Sequence, residues 1–400
     1  MNRSHITPSF GNSNFMSSSS FFQNSGNNIF NNNNIFNNGM NNKERPEILS
    51  IIGIGDCMVD IITEINSEII NLYHLENDQT KYTDENTKNI FKELESMPFV
   101  QYIPGGSTQN ILRVLSYLLH ENSNFNNNGN NIINIRVKYE ISMLGSIGED
   151  VYKEKIINSL NHSKIKPLLK ISNGETSRCG AGFYNKKPFL ISEIKASKNL
   201  DKEFILSNKD NILNHEILLI EGYYLQYQFE LCWELCELFR KEENKLIILT
   251  LSPISLNPNL LEKFIYIANY ADIIFSNKSQ AEEFASSKGE IDNKKIFEKI
   301  FQKLSTNNKK KILVVKNGKE AAYCAKYNYQ EKHLEFILTS IPQQIKNEEI
   351  VDEIGFEDAF FGGFLSEYMK GNSLYYCLKK GNEIANIVLK NPGCTFGRKK

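Results

Sequence analysis

Short apolar runs recur along the chain: "ILSIIGIG" (48–55), "EILLIEG" (216–222), "KLIILTLS" (245–252), "ADIIFSN" (271–277) and "KILVVKNG" (311–318). Within each the apolar positions are near-continuous rather than alternating, the pattern of parallel strands buried on both faces, and turn residues close them. Between several of them lie amphipathic stretches, "STQNILRVLSYLL" (107–119), "QFELCWELCELFRKEE" (228–243) and "IFEKIFQKLS" (296–305). The spacing predicts helices with one apolar face. Strand and helix in alternation predict a three-layer α/β fold with a mostly parallel central sheet, in which ligands bind beyond the carboxyl ends of the strands.

Two tracts break the pattern. Residues 1–45, dominated by asparagine and serine without an amphipathic period, predict a disordered arm ahead of a domain spanning 46–400. "ENSNFNNNGNN" (121–131) reads as a loop insertion.

Composition narrows the function classes. With 40% hydrophobic and 23% charged residues over 400, the chain can bury a substantial core, and a net charge of −1 gives no reason to expect nucleic acid or an anionic membrane as partner. No window has the ~20 apolar residues of a membrane span. The seven cysteines show no pairing rhythm and the opening residues lack the apolar run of a secretory signal, so reduced thiols and a cytoplasmic location are expected. Cys232 and Cys236, one helical turn apart, have no second cysteine or histidine pair to complete a zinc site and read as helix packing.

The turns carry the candidate chemistry. "VDEIGFEDAFFGGFL" (351–365) reads as a strand end, a glycine turn and the start of an apolar helix, whose first amides make an anion site beside Asp358. "GIGDCMVDIITEI" places Asp56 and Asp60 after a glycine turn, with a second strand from Val59. A carboxylate there can grip paired hydroxyls, and Asp56 reads as a turn cap. In "PGGSTQN" (104–110), Gly105 and Gly106 let a ligand approach the backbone, Ser107 is the expected N-cap, and Asn110 lies on the first helical turn. "EGYYLQYQF" (221–229) suits packing as well as it suits a platform for a base.

Together these stretches resemble the ribokinase-type (PfkB) carbohydrate kinase superfamily, and within it the adenosine kinases. "GIGDCMVDI" matches the first-strand signature, "PGGSTQN" the adenosine kinase form of the first motif, "MLGSIGEDVYKEKI" (143–156) the following strand and turn, "TSRCGAGF" (176–183) a lid strand, and "NPGCTF" (391–396) the closing tail. The resemblance, from about Ile48 to Phe396, implies a ribokinase-like fold with a small β-lid from segments near 59–64, 99–104 and 174–196. It also implies ATP-dependent, magnesium-assisted phosphorylation of the 5′-hydroxyl of adenosine or a related nucleoside. Asp358 would be the base, and the amides of Gly355, Phe356 and Glu357 the hole that steadies the phosphoryl group. Asp60, Gly105, Gly106, Ser107 and Asn110 would bind the nucleoside. Asn277, Gln280, Lys316, Gly318 and Asp352 would serve the nucleotide. No residue is assigned as a direct metal ligand.

Departures from the family pattern surround the phosphate path. The usual D-T-x-G-A-G-D turn is here Asp352, Glu353, Ile354, Gly355, Phe356, Glu357, Asp358. A second negative charge ~4 Å from a phosphate costs about 4 kcal/mol at an effective dielectric of 20. If Glu357 points into the hole, Glu357→Gly with Phe356→Ala should raise phosphoryl transfer. The N-x-x-E motif becomes "NKSQ", with Gln280 in place of the acid. Gap-free continuation places Pro188, with Lys186 and Lys187 just before it, where the resemblance expects a lid arginine, and Lys316 stands where many relatives have threonine. Three readings follow: a working nucleoside kinase, a catalytically impaired relative retained as a binding or structural component with a protein partner, and a kinase of a different sugar.

Overall fold

The computed structural model describes residues 48–75, 80–121, 137–184, 187–253, 259–304, 310–339 and 345–396. The expected arm, most of the expected insertion, and Lys186 lie outside the described residues. The first part of the chain forms β1 (Ile48–Ile54), β2 (Met58–Glu64), α1 (Ser67–Tyr73), β3 (Thr80–Tyr82), α2 (Ile90–Ser96), β4 (Gln101–Gly105) and α3 (Ser107–Glu121). There follow β5 (Lys138–Gly148), α4 (Lys153–His162), β6 (Lys166–Ser172), β7 (Ser177–Tyr184), β8 (Lys187–Glu193), α5 (Lys202–Ser207), α6 (Lys209–Leu213), β9 (Ile217–Ile220) and α7 (Phe229–Arg240). The remainder forms β10 (Leu246–Thr250), α8 (Leu260–Tyr270), β11 (Ile273–Asn277), α9 (Lys278–Ala285), α10 (Asn293–Lys303), β12 (Lys310–Lys316), β13 (Tyr323–Asn328), β14 (His333–Leu338), α11 (Phe356–Met369) and α12 (Leu374–Val388).

The large sheet runs β14-β13-β12-β11-β10-β9-β1-β5-β6, parallel from β12 to β6 and closed at one edge by the antiparallel β13–β14 hairpin. Its apolar runs are buried on both faces. Leu49 and Ile51 of β1 pack with α3, α4, α11 and α12, whereas Ile52 and Ile54 face the layer that holds α7 to α10. α11 is apolar around its whole circumference because it lies inside the molecule, packed against both α3 and α12.

A second sheet, β3-β8-β7-β2-β4, stands beside the carboxyl ends of the large one. Strands form in each segment where the resemblance puts a lid, with β3 as an additional edge strand. Leu94, Phe91 and Ile90 of α2 and Ile69 of α1 cover one face of this sheet, a small core of its own. One expectation fails: Val351 to Glu353 is not a strand end. The Val351 amide bonds to the Leu389 carbonyl at the end of α12, so this extended segment is tied to a helix rather than to a ladder. All seven cysteines are free and buried, with Cys232 and Cys236 in the apolar face of α7. Among the described residues no helix is long and apolar enough to cross a membrane.

Candidate active site

A cavity of about 400 Å³ opens where the carboxyl ends of β1, β9 and β11 meet the small sheet and the N-termini of α3 and α11. Gly355 turns the chain into α11 with φ of +73°, and a Cβ there would lie 2.5 Å from that of Cys394. This turn therefore requires glycine twice over, for its conformation and for the close approach of the tail. The first amide of the turn to find a helical carbonyl is that of Ala359, on Gly355, which leaves the preceding amides as anion donors.

Asp358 stands in this first turn and is held from α3. Ser107 Oγ donates to Asp358 Oδ1 at 2.5 Å, and Asn110 Nδ2 donates to Oδ2 at 2.8 Å. Asn110 is itself oriented by Arg113, whose guanidinium donates to Asn110 Oδ1. The expected N-cap role of Ser107 is thus corrected: Ser107 is already helical, after Gly106 at φ of +101°, and its hydroxyl is spent on Asp358. Desolvation raises the Asp358 carboxyl to about 6 against the pull of its two donors and Arg113.

Asp60, on β2, is buried beside β4, and the missing side chain of Gly105 makes room for it; a Cβ there would fall 2.1 Å from Asp60 Oδ2. Asp56 is not a surface turn cap. It is buried, accepts from the Tyr227 hydroxyl, and adjoins Glu221, whose Oε2 takes the Thr108 amide at 3.0 Å and the Asp56 amide at 3.3 Å. Sequence reasoning missed both Asp56 and Glu221 as site residues, although an acid just past an apolar strand is the signal that both carry. In the tyrosine-rich stretch after it, Tyr223 lines the cavity, Tyr224 packs in the core and Gln226 donates to the Tyr82 hydroxyl at 2.7 Å.

Glu357 lines the cavity and is tied to β11. Its Oε2 accepts from Asn277 Nδ2 at 3.2 Å, at the end of β11, and Asn277 and Gln280 cap α9 reciprocally through their side-chain oxygens. Desolvation raises Glu357 to about 7, with the charge of Asp358 adding to the effect. Three expected nucleotide residues lie off the cavity wall. Lys316 is buried, donates to Asn382 Oδ1 at 2.8 Å and sits over the Phe360 ring, so only its field reaches Glu357. Asp352 accepts the amides of Ile354 and Gly393 at 2.8 and 2.7 Å, clamping the turn to the C-terminal segment. Gly318 is exposed in the turn after β12. Pro188 lines the cavity.

Asp56, Asp60, Glu221, Glu353, Glu357 and Asp358 all line this cavity, and no lysine, arginine or histidine among the described residues does. Burial raises Asp56 to about 6 and Asp60 to about 7, above the ordinary carboxylate range, in line with Glu357 and Asp358. The folded protein therefore holds protons that the unfolded chain releases between about pH 4 and 7. That contribution to stability is full at the acid end of the window and is lost as pH rises through the folded values. The melting temperature without ligand is expected to fall by several degrees from about pH 5 to about pH 7.5, and Asp60→Asn to flatten the slope. A melting temperature that rises across this window in the wild type would contradict the assignment.

The family model described as pfkB family carbohydrate kinase matches residues 72–400. Adenosine kinase 2 of Arabidopsis thaliana is 25% identical over 87% of this chain and 96% of its own length. Adenosine kinase of Saccharomyces cerevisiae is 21% identical over 88% and 97%. Among solved structures, adenosine kinase from Schistosoma mansoni in complex with 2-fluoroadenosine superposes with a TM-score of 0.74 at 18% identity, covering 87% of this chain and 97% of that one. Anopheles gambiae adenosine kinase in complex with P1,P4-di(adenosine-5) tetraphosphate gives 0.74 at 20% identity, covering 89% and 100%. At these identities the structural likeness speaks for the fold.

Proposed function

We propose, from the premise that the chain belongs to the pfkB family of carbohydrate kinases, that it transfers the γ-phosphoryl group of ATP to the 5′-hydroxyl of adenosine or a closely related nucleoside. The observation that carries this reading is the placement of Asp358: at the mouth of the α11 amides, gripped by Ser107 and Asn110, with Glu357 bonded to Asn277. Asp358 takes the proton of the 5′-hydroxyl as its oxygen attacks the γ-phosphorus and ADP departs. The amides of Gly355, Phe356 and Glu357 meet the charge that spreads over the equatorial oxygens. Asp60, with the Gly105–Gly106 backbone beside it, binds the ribose hydroxyls. The hydrogen bond from Asn277 to Glu357 supports a carboxylate held clear of the amides over one that obstructs them.

The donor set suits magnesium carried in on the nucleotide. Among the described residues no group of three or more acidic, histidine or cysteine side chains could hold a metal, but Glu357 offers one hard carboxylate, and magnesium keeps waters and phosphates as its other ligands. When bound, magnesium neutralises charge on the phosphates, and Glu357, with Asn277, would hold its water. A second reading, a relative that keeps the fold without transfer and serves as a binding component, is favoured by the absence of any cation among the described cavity residues.

AMP formation from adenosine and Mg-ATP separates the two. Turnover, together with a rise in melting temperature on adding either ligand, supports the kinase. No turnover and no ATP response in a folded protein supports the binding component. Turnover with ribose in place of adenosine makes it a sugar kinase.

A further inference from the structure

Farther along α3 from the first cavity lies a second cleft, of about 920 Å³, with the opposite character. Arg113, Ser116, Tyr117 and His120 face it from α3, and Lys155, Asn158, Ser159 and His162 from α4. Each set follows the i, i+3, i+4, i+7 spacing of one helix face, where facing helices ordinarily present apolar residues. Lys164 adds a third positive charge, that of Arg113 being shared with Asp60 and Asp358 of the first cavity, and no aspartate or glutamate among the described residues lines the cleft. Two helices thus hold a polar, basic wedge open between them.

The cleft contains a donor without an acceptor. Arg113 Nε is buried and has no hydrogen-bond partner, and its Nη1 reaches only Ser159 Oγ, at 3.4 Å. A guanidinium with an unused N–H is matched by a planar or tetrahedral oxyanion, which it can engage with two parallel bonds. The volume exceeds what a bare phosphate fills and falls within the range of small-molecule sites. Its walls also carry flat apolar surface. Tyr117 stacks on Phe396 at 4.2 Å, and the Lys155 ammonium lies 4.7 Å above the Tyr102 ring.

We infer that this cleft is a second ligand site, taking the phosphate of a nucleotide-sized phosphomonoester on Arg113, Lys155 and Lys164. The site reaches the first cavity through a short chain of hydrogen bonds. Arg113 orients Asn110, and Asn110 holds Asp358. A phosphate that draws the guanidinium outward releases Asn110 Oδ1 and loosens the grip on Asp358. Occupancy of the cleft therefore alters nucleoside binding, and by linkage nucleoside alters affinity in the cleft by the same factor. This coupling, unlike the binding itself, rests on the nucleoside-kinase reading.

Titration calorimetry with AMP, and separately with inorganic phosphate, tests the site on the full chain. In Lys155→Ala/Lys164→Ala, AMP affinity is expected to drop at least about tenfold, the loss of two charge-assisted contacts. Unchanged affinity in that folded variant overturns the site and puts the anion in the first cavity. With the first cavity filled by adenosine, AMP binding more tightly than phosphate supports a nucleotide ligand; equal affinity overturns that part and leaves phosphate alone as the occupant. Saturating inorganic phosphate, which lacks the nucleoside that the first cavity binds, is expected to change adenosine affinity about fivefold or more, and Arg113→Gln to abolish the change. Equal adenosine affinities overturn the coupling. Absence of adenosine binding in every case refutes the kinase reading, while the affinity losses in the lysine variant still report on the cleft.

Discussion

Asp358→Asn is expected to lower kcat by about 10²- to 10⁴-fold with little change in the KM for nucleoside, because it removes the proton acceptor and leaves Asp60 in place. The amide is nearly isosteric, so the Ser107 hydroxyl keeps an oxygen to donate to, whereas Asn110 Nδ2, which donates to Oδ2 in the wild type, then meets another donor. The pH profile gives an independent readout. Burial raises the Asp358 carboxyl to about 6, and a base must be ionised to act, so wild-type kcat/KM should climb as pH passes through about 6 and then level. The residual activity of the variant should lack that limb. Turnover within a few-fold of wild type, on protein freed of contaminating kinases, would falsify the assignment of Asp358 as base.

Much of this site is legible in the sequence because its parts are local. A glycine turn followed by an apolar helix announces the α11 amides, and the apolar runs fix the strand ends where ligands collect. What sequence cannot convey is which side chain meets which across the fold. Ser107 looks like an N-cap in "GGSTQN", yet its hydroxyl crosses to a residue 251 positions away. Lys316 looks like a residue that serves the nucleotide, but it ends in the core on Asn382, since β12 turns that residue toward α12 rather than toward the cavity. Asp352 looks like a ligand residue and instead accepts two backbone amides, one from each end of the chain segment it joins. Glu221 was hidden by its neighbours, an acid at the end of a strand whose partners, Asp56 and Thr108, lie more than a hundred positions earlier.

The direction of Glu357 matters most, because the sequence leaves it open and transfer depends on it. A carboxylate aimed into the hole would block transfer; held at Asn277, it repels phosphates that arrive without a cation and attracts those that arrive with one. At ~5 Å and an effective dielectric of 20 that repulsion is about 3 kcal/mol, between one hundredfold and one thousandfold in affinity. The wild type is therefore expected to bind Mg-ATP roughly 10²-fold more tightly than ATP in the presence of a chelator. Glu357→Gln should bring that ratio down to a few-fold, chiefly by improving the binding of metal-free ATP. Because desolvation raises Glu357 to about 7, the contrast should be strong near pH 8 and fade in the wild type as pH falls below 7, where the carboxyl is neutral. Glu357→Gly with Phe356→Ala should show the same loss of selectivity without a gain in turnover. Equal ratios for wild type and Glu357→Gln at high pH would mean that Glu357 does not face the phosphates, and a rise in turnover in the double variant would return it to the role of an obstruction.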